Sequence, residues 1–119
     1  PVNIEGDAVR LAQVLRNLID NAVSFSPEHG TVTLTVAQSR DTVELSVQDQ
    51  GPGVPSANRG DIFRRFYSER PPSEDFGRHS GLGLSIAAAI VAAHGGQILV
   101  EDAPDGGALF RVLLPAPWP

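Results

Sequence analysis

The stretch VQDQGPGVP, from Val47 to Pro55, places an acid where an apolar strand runs into two glycines and two prolines. Asp49 shares its parity with three apolar residues upstream, which are Val43, Leu45 and Val47. Side chains two apart on a strand point to the same face, so Asp49 is predicted to face the core. Because a buried carboxylate is costly without a hydrogen-bond partner, the sequence raises the question of which group that partner is.

The segments around this stretch predict the order strand, helix, two strands, long loop, helix, two strands. A short first strand is predicted over 1–5, a helix capped by Asp7 over 7–25, and a hairpin of two strands over 31–38 and 42–49. The second helix is predicted over 80–94, with Gly95 at its C′ position. The last two strands are predicted over 97–101 and 108–114. Because the strands come in pairs, this order favours an α/β two-layer sandwich over a doubly wound fold. We expect a mixed, largely antiparallel sheet with helices on one face.

Length and composition limit the class of protein. With 119 residues, 41% of them hydrophobic and 19% charged, the chain suits a single domain over 1–119, and its abrupt ends suggest a piece of a longer protein. The net charge of −5 argues against nucleic-acid binding. The absence of cysteine removes disulfides and thiolate metal sites. All nine basic residues are arginine, so a phosphate loop of the Walker type, which needs a lysine, is excluded.

Two asparagines of the first helix, Asn17 and Asn21, are four residues apart and therefore lie on one face, beside the apolar stripe. Amide carbonyl oxygens are hard ligands that suit Mg²⁺, often together with substrate phosphates. The alternative is a pair of solvated asparagines at the margin of the helix.

Two glycine-rich segments are candidate ligand contacts. Asp49 could accept a hydrogen bond from the amino group of a purine, and Gly51 and Gly53 would let the ring approach the backbone. The segment SGLGLS, starting at Ser80, opens a helix, and free N–H groups at a helix N-terminus bind phosphate. The alternatives are an ordinary turn and a flexible helix start.

The long connection over 54–80 contains DIFRRFY, whose apolar residues are Ile62, Phe63, Phe66 and Tyr67. These side chains either anchor the loop to its own core or form a docking surface or hinge. The three histidines, His29, His79 and His94, are predicted to lie in a turn, the loop and a helix end.

Taken in order, the motifs resemble those of the ATP-binding catalytic domain of sensor histidine kinases, over about 7–115. The corresponding residues are Asn17 and Asn21 for the N box, Asp49, Gly51 and Gly53 for the G1 box, Phe63 and Phe66 for the F box, and Gly81 and Gly83 for the G2 box. The wider superfamily contains gyrase, chaperone and mismatch-repair ATPases, and the F box and HGG after the second helix favour the kinase branch.

The resemblance implies the Bergerat fold with a lid over about 54–80, and it implies roles for single residues. Asn21 would hold Mg²⁺, Asn17 would help to hold the metal or the phosphates, Asp49 would accept from adenine N6, and Phe25 would lie against the ring. The full set of implied ATP contacts is Asn17, Asn21, Phe25, Asp49, Gly51, Gly53, Arg70, Arg78, Ser80, Gly81, Leu82, Gly83 and Leu84.

Two positions depart from the family pattern. Ser24 and Ser68 stand where the family often has cations that face the phosphates. Arg70 and Arg78 are the candidate replacements, with Arg70 in a catalytic role, because arginine can clamp phosphate through two parallel hydrogen bonds.

None of the three histidines has the sequence context of the family's phosphate acceptor. The resemblance therefore implies transfer to a histidine on a separate dimerisation helical domain of the same kinase, and then to a response regulator. It also implies a monomeric isolated domain, a homodimeric intact kinase, and a cytoplasmic location within an inner-membrane sensor protein. The alternatives are a serine kinase or an ATPase of another branch, or a degenerate nucleotide-binding module acting through protein contacts.

Overall fold

A computed structural model of the chain describes residues 6–54, 57, 59, 61–63, 83–104 and 106–116. The regular elements in these residues are helices α1 (Ala8–Phe25) and α2 (Gly83–Ala93) and strands β1 (Thr33–Ser39), β2 (Thr42–Gln48), β3 (Gln97–Asp102) and β4 (Ala108–Pro115). A short 3₁₀ turn, Asp61–Phe63, lies between β2 and α2. This succession agrees with the predicted one, while the strand predicted over 1–5 lies outside the described residues.

The four strands form one sheet in the order β1-β2-β4-β3, and all neighbours are antiparallel. A two-residue turn joins β1 to β2, and Arg40 adopts a positive φ of 51° in it. β4 runs between β2 and β3, and its second residue, Leu109, pairs with Gln48 at the end of β2. The sheet topology thus brings Asp49 beside the start of β4.

Both helices pack on one face of the sheet and form the second layer. Alternate residues of β4 are buried, as the period of two predicts for a strand with one face against a core. The buried cluster combines Val14, Leu18 and Ala22 of α1 and Ala87, Ile90 and Val91 of α2 with Val47, Val100, Phe110, Val112 and Leu114 of the sheet. The predicted two-layer α/β sandwich is therefore confirmed.

The helix ends follow the local signals in the sequence. Asp7 caps α1 as predicted, and its Oδ1 accepts from Val9 N–H at 3.0 Å and Arg10 N–H at 3.2 Å. Gly95 ends α2 with a φ of 77°, which is the left-handed conformation that glycine adopts at a C′ position. His94 joins these two ends, because its Nε2 accepts from Asp7 N–H at 3.0 Å and its Nδ1 lies 2.8 Å from the Ile90 carbonyl. The two helices are therefore antiparallel neighbours.

An arginine on β4 connects three strands through charge-assisted hydrogen bonds. Arg111 Nη2 lies 2.6 Å from Glu44 Oε1 on β2, and Arg111 Nη1 lies 3.4 Å from Glu101 on β3. The hydrogen bond from Arg111 stabilises the charged carboxylate and lowers the pKa of Glu44 below its usual value of 4.5.

We expect Glu44→Gln to lower the thermal midpoint at neutral pH and to lose this effect in acid. A carboxylate with a lowered folded pKa contributes stability that is fully present above its unfolded pKa and disappears as the pH falls through the folded value. Melting curves of both proteins between pH 7 and pH 3 should therefore converge at the acidic end. Glu28→Gln, which removes an exposed carboxylate from the turn after α1, is the control. A difference that stays constant over this range would contradict the assignment.

Candidate nucleotide-binding site

The two asparagines of α1 have different surroundings. Asn17 Nδ2 donates to the Gly83 carbonyl at 3.0 Å, so this side chain holds the first residue of α2. Asn21 lies one turn further along on the same face and is half-buried. Its amide forms no side-chain hydrogen bond with any residue that the structure describes.

Asp49 is buried, with 2% of its surface exposed, directly after β2. One carboxylate oxygen, Oδ1, accepts from Ala108 N–H at 2.9 Å and from Gly51 N–H at 2.9 Å. The backbone N–H of Asp49 also donates to the Ala108 carbonyl at 2.9 Å. Within the described part of the chain, no group donates to the second oxygen, Oδ2. Backbone N–H groups thus satisfy one oxygen of the buried carboxylate, Oδ1. The other oxygen, Oδ2, is left as an acceptor for a ligand.

The first glycine of the G1 box allows a close contact with the end of α1. A Cβ atom added to Gly51 would lie 2.7 Å from the Phe25 carbonyl oxygen and 3.1 Å from Phe25 Cβ. Gly53 has a φ of 80°, which disfavours any residue with a side chain. Gly51 therefore lets Phe25, which is half-buried, lie next to the segment that carries Asp49, while Gly53 lies near the Gly107 carbonyl.

The start of α2 provides the second end of the candidate site. A Cβ at Gly83 would meet no atom of the described residues within 4 Å. The first N–H groups of a helix have no partner within the helix, and the helix dipole attracts anions. Leu84, the next residue, packs partly against the hydrophobic core and fixes this end of α2.

Several predicted residues lie outside the described residues. They are Phe66, Ser68, Arg70, Arg78, Ser80, Gly81 and Leu82. The predicted residues that the structure describes are Asn17, Asn21, Phe25, Asp49, Gly51, Gly53, Gly83 and Leu84. Among them, direct contacts join Asn17 to Gly83, Asp49 to Gly51, and Gly51 to Phe25.

The first phenylalanine of the F box anchors its segment to the core. The ring of Phe63 meets that of Phe110 edge to face, with centroids 6.1 Å apart, and the neighbouring Ile62 is buried. For these two side chains, the structure supports the interpretation of the apolar stripe as an anchor.

Gly107 and Arg59 lie near the site and are not among the residues predicted from the sequence. Gly107 lies against Asp49, and a Cβ there would come within 2.9 Å of Asp49 Oδ1. Arg59 Nη2 lies 2.8 Å from Asp102 Oδ1, and Arg59 Nε donates to the Val54 carbonyl at 3.1 Å, which fixes the chain just after the G1 box. The glycine pair 106–107 hints at a tight turn, but its contact with Asp49 depends on pairing between distant strands.

The described residues contain no cluster of three or more histidine, cysteine or acidic side chains that could hold a metal ion. In the part of the chain that the structure describes, neither helix combines the length and the apolar content that crossing a membrane requires.

A two-layer sandwich with a buried carboxylate after β2 and a glycine at the start of α2 fits a nucleotide-binding domain. The family model described as "Histidine kinase-, DNA gyrase B-, and HSP90-like ATPase" matches residues 6–117. The chain belongs to this family, and it is therefore an ATP-binding domain.

Relatives of known name are sensor kinases. The chain is 43% identical to the sensor protein ChvG of Agrobacterium fabrum, over 95% of this chain and 20% of that protein. It is 43% identical to the signal transduction histidine-protein kinase/phosphatase MprB of a Mycobacterium species, over 94% of this chain and 22% of that protein. The chain thus spans about a fifth of the length of these relatives.

Solved structures agree in fold. A mycobacterial sensor histidine kinase, MprB, superposes with a TM-score of 0.85 at 35% identity, covering 98% of this chain and 76% of that one. The catalytic domain of the histidine kinase ThkA superposes with a TM-score of 0.81 at 32% identity, covering 95% and 71%. These matches confirm the resemblance drawn from the four motifs and place the domain among the catalytic domains of histidine kinases.

Proposed function

We propose that this domain binds Mg-ATP and transfers the γ-phosphoryl group to a histidine on a separate dimerisation and phosphoacceptor domain of the same kinase. The observation that carries the proposal is the divided role of the Asp49 carboxylate. Two backbone N–H groups bind Oδ1, while Oδ2 remains an acceptor in a buried position. The exocyclic amino group of adenine is a donor that matches it.

The other described residues fit the rest of the nucleotide. In this proposal Phe25 lies against the base, while Asn21 and the N–H groups at the start of α2 face the phosphate end. Asn17 holds α2 in place through the Gly83 carbonyl, and its own carbonyl oxygen faces the metal or the phosphates. Bound Mg²⁺ would neutralise charge on the phosphates, and Asn21 is its principal protein ligand.

Phosphoryl transfer requires little covalent chemistry from the protein. A ring nitrogen of the acceptor histidine forms a bond to Pγ, the bond between Pγ and the bridging oxygen of ADP breaks, and ADP leaves. Positioning and charge stabilisation supply most of the catalysis of such a step. Arg70 is proposed to act on the transferring group and Arg78 on the phosphates, in place of the cations that Ser24 and Ser68 do not provide.

The setting of the domain is part of the proposal. Residues 1–119 would form a single domain of a longer, homodimeric sensor kinase, with a lid over about 54–80, and the isolated domain would be a monomer. The phosphohistidine would pass its phosphoryl group to a response regulator. Sensor kinases are among the relatives of this chain, and this supports a cytoplasmic position of the domain within an inner-membrane protein.

The direct test combines this chain, ATP labelled at the γ-phosphate, Mg²⁺ and the phosphoacceptor domain of the kinase. Acid-labile label on the acceptor, absent when its histidine is replaced by glutamine, is the expected result. Acid-stable label would indicate a serine kinase, and release of phosphate without labelled protein would indicate an ATPase. Absence of nucleotide binding would favour a degenerate module that acts through protein contacts.

We expect Asn21→Ala to remove the Mg²⁺-dependent part of ATP affinity and to leave the Mg²⁺-free part and the thermal midpoint nearly unchanged. The amide of Asn21 bonds no other described side chain, so the fold loses little when it is removed. Calorimetric titration with ATP, with and without Mg²⁺, measures both parts. Asp20→Ala removes an exposed carboxylate from the same turn and is the matched control. Equal Mg²⁺ dependence in Asn21→Ala and wild type would contradict the metal assignment.

A further inference from the structure

Gln50, the residue between Asp49 and Gly51, joins the site to the loop that follows α1. Its backbone N–H donates to Ser26 Oγ at 3.1 Å, and Ser26 is the C-cap residue of α1. Its side-chain oxygen, Oε1, accepts from Thr31 N–H at 2.8 Å. One residue therefore binds both ends of the loop 26–31.

The loop itself is tight and closely fitted to Gln50. Gly30 N–H donates to the Pro27 carbonyl at 2.8 Å, and His29 adopts a positive φ of 65°. A Cβ at Gly30 would lie 3.0 Å from Gln50 Oε1, so the backbone passes directly over the side-chain amide. The side chain thus replaces a missing backbone partner for Thr31 and holds the turn against the end of β2.

Asp49, Gln50 and Gly51 each contact a different part of the region where the nucleotide base is proposed to bind. Asp49 is bound to β4, Gly51 lies against the backbone of Phe25, and Gln50 holds the loop that continues from Phe25. Gln50 thus connects the segment that carries Asp49 to the residue that follows Phe25.

We propose that Gln50 is a positioning residue for base selection, which sets Phe25 relative to Asp49 so that only a purine with a 6-amino group satisfies both. This inference rests on the proposed function. Gln50 is exposed, and water can solvate Thr31 N–H when the side chain is removed, so the effect on stability is small. The effect falls on the geometry of the pocket, where small displacements weaken a directional hydrogen bond steeply.

The experiment measures the dissociation constants of ADP and IDP for this chain and its variants. The two bases differ at C6, which carries an amino group in ADP and an oxo group in IDP, and at N1, which is an acceptor in ADP and an N–H donor in IDP. We expect Gln50→Ala to reduce the preference for ADP over IDP by about fivefold, a loss of about 1 kcal/mol of discrimination. Gln50→Asn should reduce this preference as much as Gln50→Ala, because its side chain is one methylene too short to reach Thr31 N–H.

Gln50→Glu is the rescue variant, because its carboxylate oxygen reaches Thr31 N–H at the same length. Its added charge is expected to weaken both nucleotides equally and to leave their ratio at the wild-type value. A purely structural role would lower the thermal midpoint without changing the ratio.

The outcomes separate this inference from the proposed function. If wild type prefers ADP, Asp49→Asn loses that preference and Gln50→Ala keeps it within twofold, the positioning role is wrong and the proposed function stands. If wild type binds ADP and IDP equally, the positioning role is wrong and the proposed function stands. If wild type binds neither nucleotide, both are overturned.

Discussion

Asp49→Asn is expected to weaken ADP binding by on the order of 100-fold and to leave the fold intact. The asparagine carbonyl oxygen can take the place of Oδ1 and keep the hydrogen bonds from Ala108 and Gly51. Its amino group then stands where Oδ2 was, and a donor faces the donor on adenine. A site built to hydrogen-bond one group discriminates strongly against a ligand that leaves its buried polar atoms unpaired.

The same substitution makes a second, opposite prediction for IDP. The C6 oxygen of hypoxanthine is an acceptor and matches the new amino group, so Asp49→Asn should bind IDP more tightly than ADP. This reversal distinguishes a direct contact with the base from a general loss of structure. Calorimetric titration of both nucleotides, with circular dichroism melting of both proteins, measures it.

Asp49→Ala is the matched control for this pair of measurements. It removes Oδ1 and Oδ2 together, leaves the N–H groups of Gly51 and Ala108 without their partner, and should lower both stability and affinity without reversing the preference. If Asp49→Asn binds ADP as wild type does, the carboxylate has no contact with the base, and the central argument for the nucleotide site fails.

The position of Asp49 illustrates what sequence reasoning reaches. Its parity with the apolar residues of β2 predicts burial, because the period of a strand is local and fixed. Its carboxylate accepts from the neighbouring Gly51 and from Ala108, which lies 59 residues further along, and the second pairing depends on the order of strands in the sheet. The strand pattern predicts that Asp49 is a buried acceptor. It does not predict that Oδ1 accepts from backbone N–H groups while Oδ2 has no donor among the described residues.

The asparagines of α1 give a similar result. Helical spacing places Asn17 and Asn21 on one face, which the structure confirms. The hydrogen bond from Asn17 to Gly83 links residues 66 apart, so no local rule assigns one asparagine to α2 and leaves the other available. The family resemblance implies that both asparagines hold the metal or the phosphates. The structure adds that the Asn17 amide is bonded to Gly83, whereas the Asn21 amide bonds no described side chain.

Strand β1 marks the limit of hydrophobic pattern as a guide to burial. Its alternation correctly predicts a strand, yet Leu34 and Val36 are 53% and 54% exposed. β1 is one of the two edge strands in the described sheet, and the helices cover the central strands. The alternation of apolar residues predicts which side chains share one face of a strand. Whether these side chains are buried depends on what covers that face.

Gly107→Ala is expected to be the most damaging small substitution in the chain. Gly107 has a φ of 88° and is buried, and a Cβ there would lie 2.8 Å from the Asp49 carbonyl carbon and 2.9 Å from Asp49 Oδ1. These atoms cannot move away freely, because Asp49 N–H and Oδ1 are both bonded to Ala108. We expect a loss of more than about 3 kcal/mol, which combines backbone strain with overpacking.

Gly106→Ala separates strain from crowding at the same turn. Gly106 has a similar φ of 93°, but a Cβ there would meet no atom within 4 Å. It should lose only about 1 kcal/mol, or roughly 4 °C in thermal midpoint, through the unfavourable φ. Gly107→Ala should melt at least about 15 °C below wild type or fail to fold, and any folded fraction should bind ADP poorly because Asp49 is displaced. Equal midpoints for the two variants would mean that strain alone governs the turn and that Asp49 does not depend on the space beside Gly107.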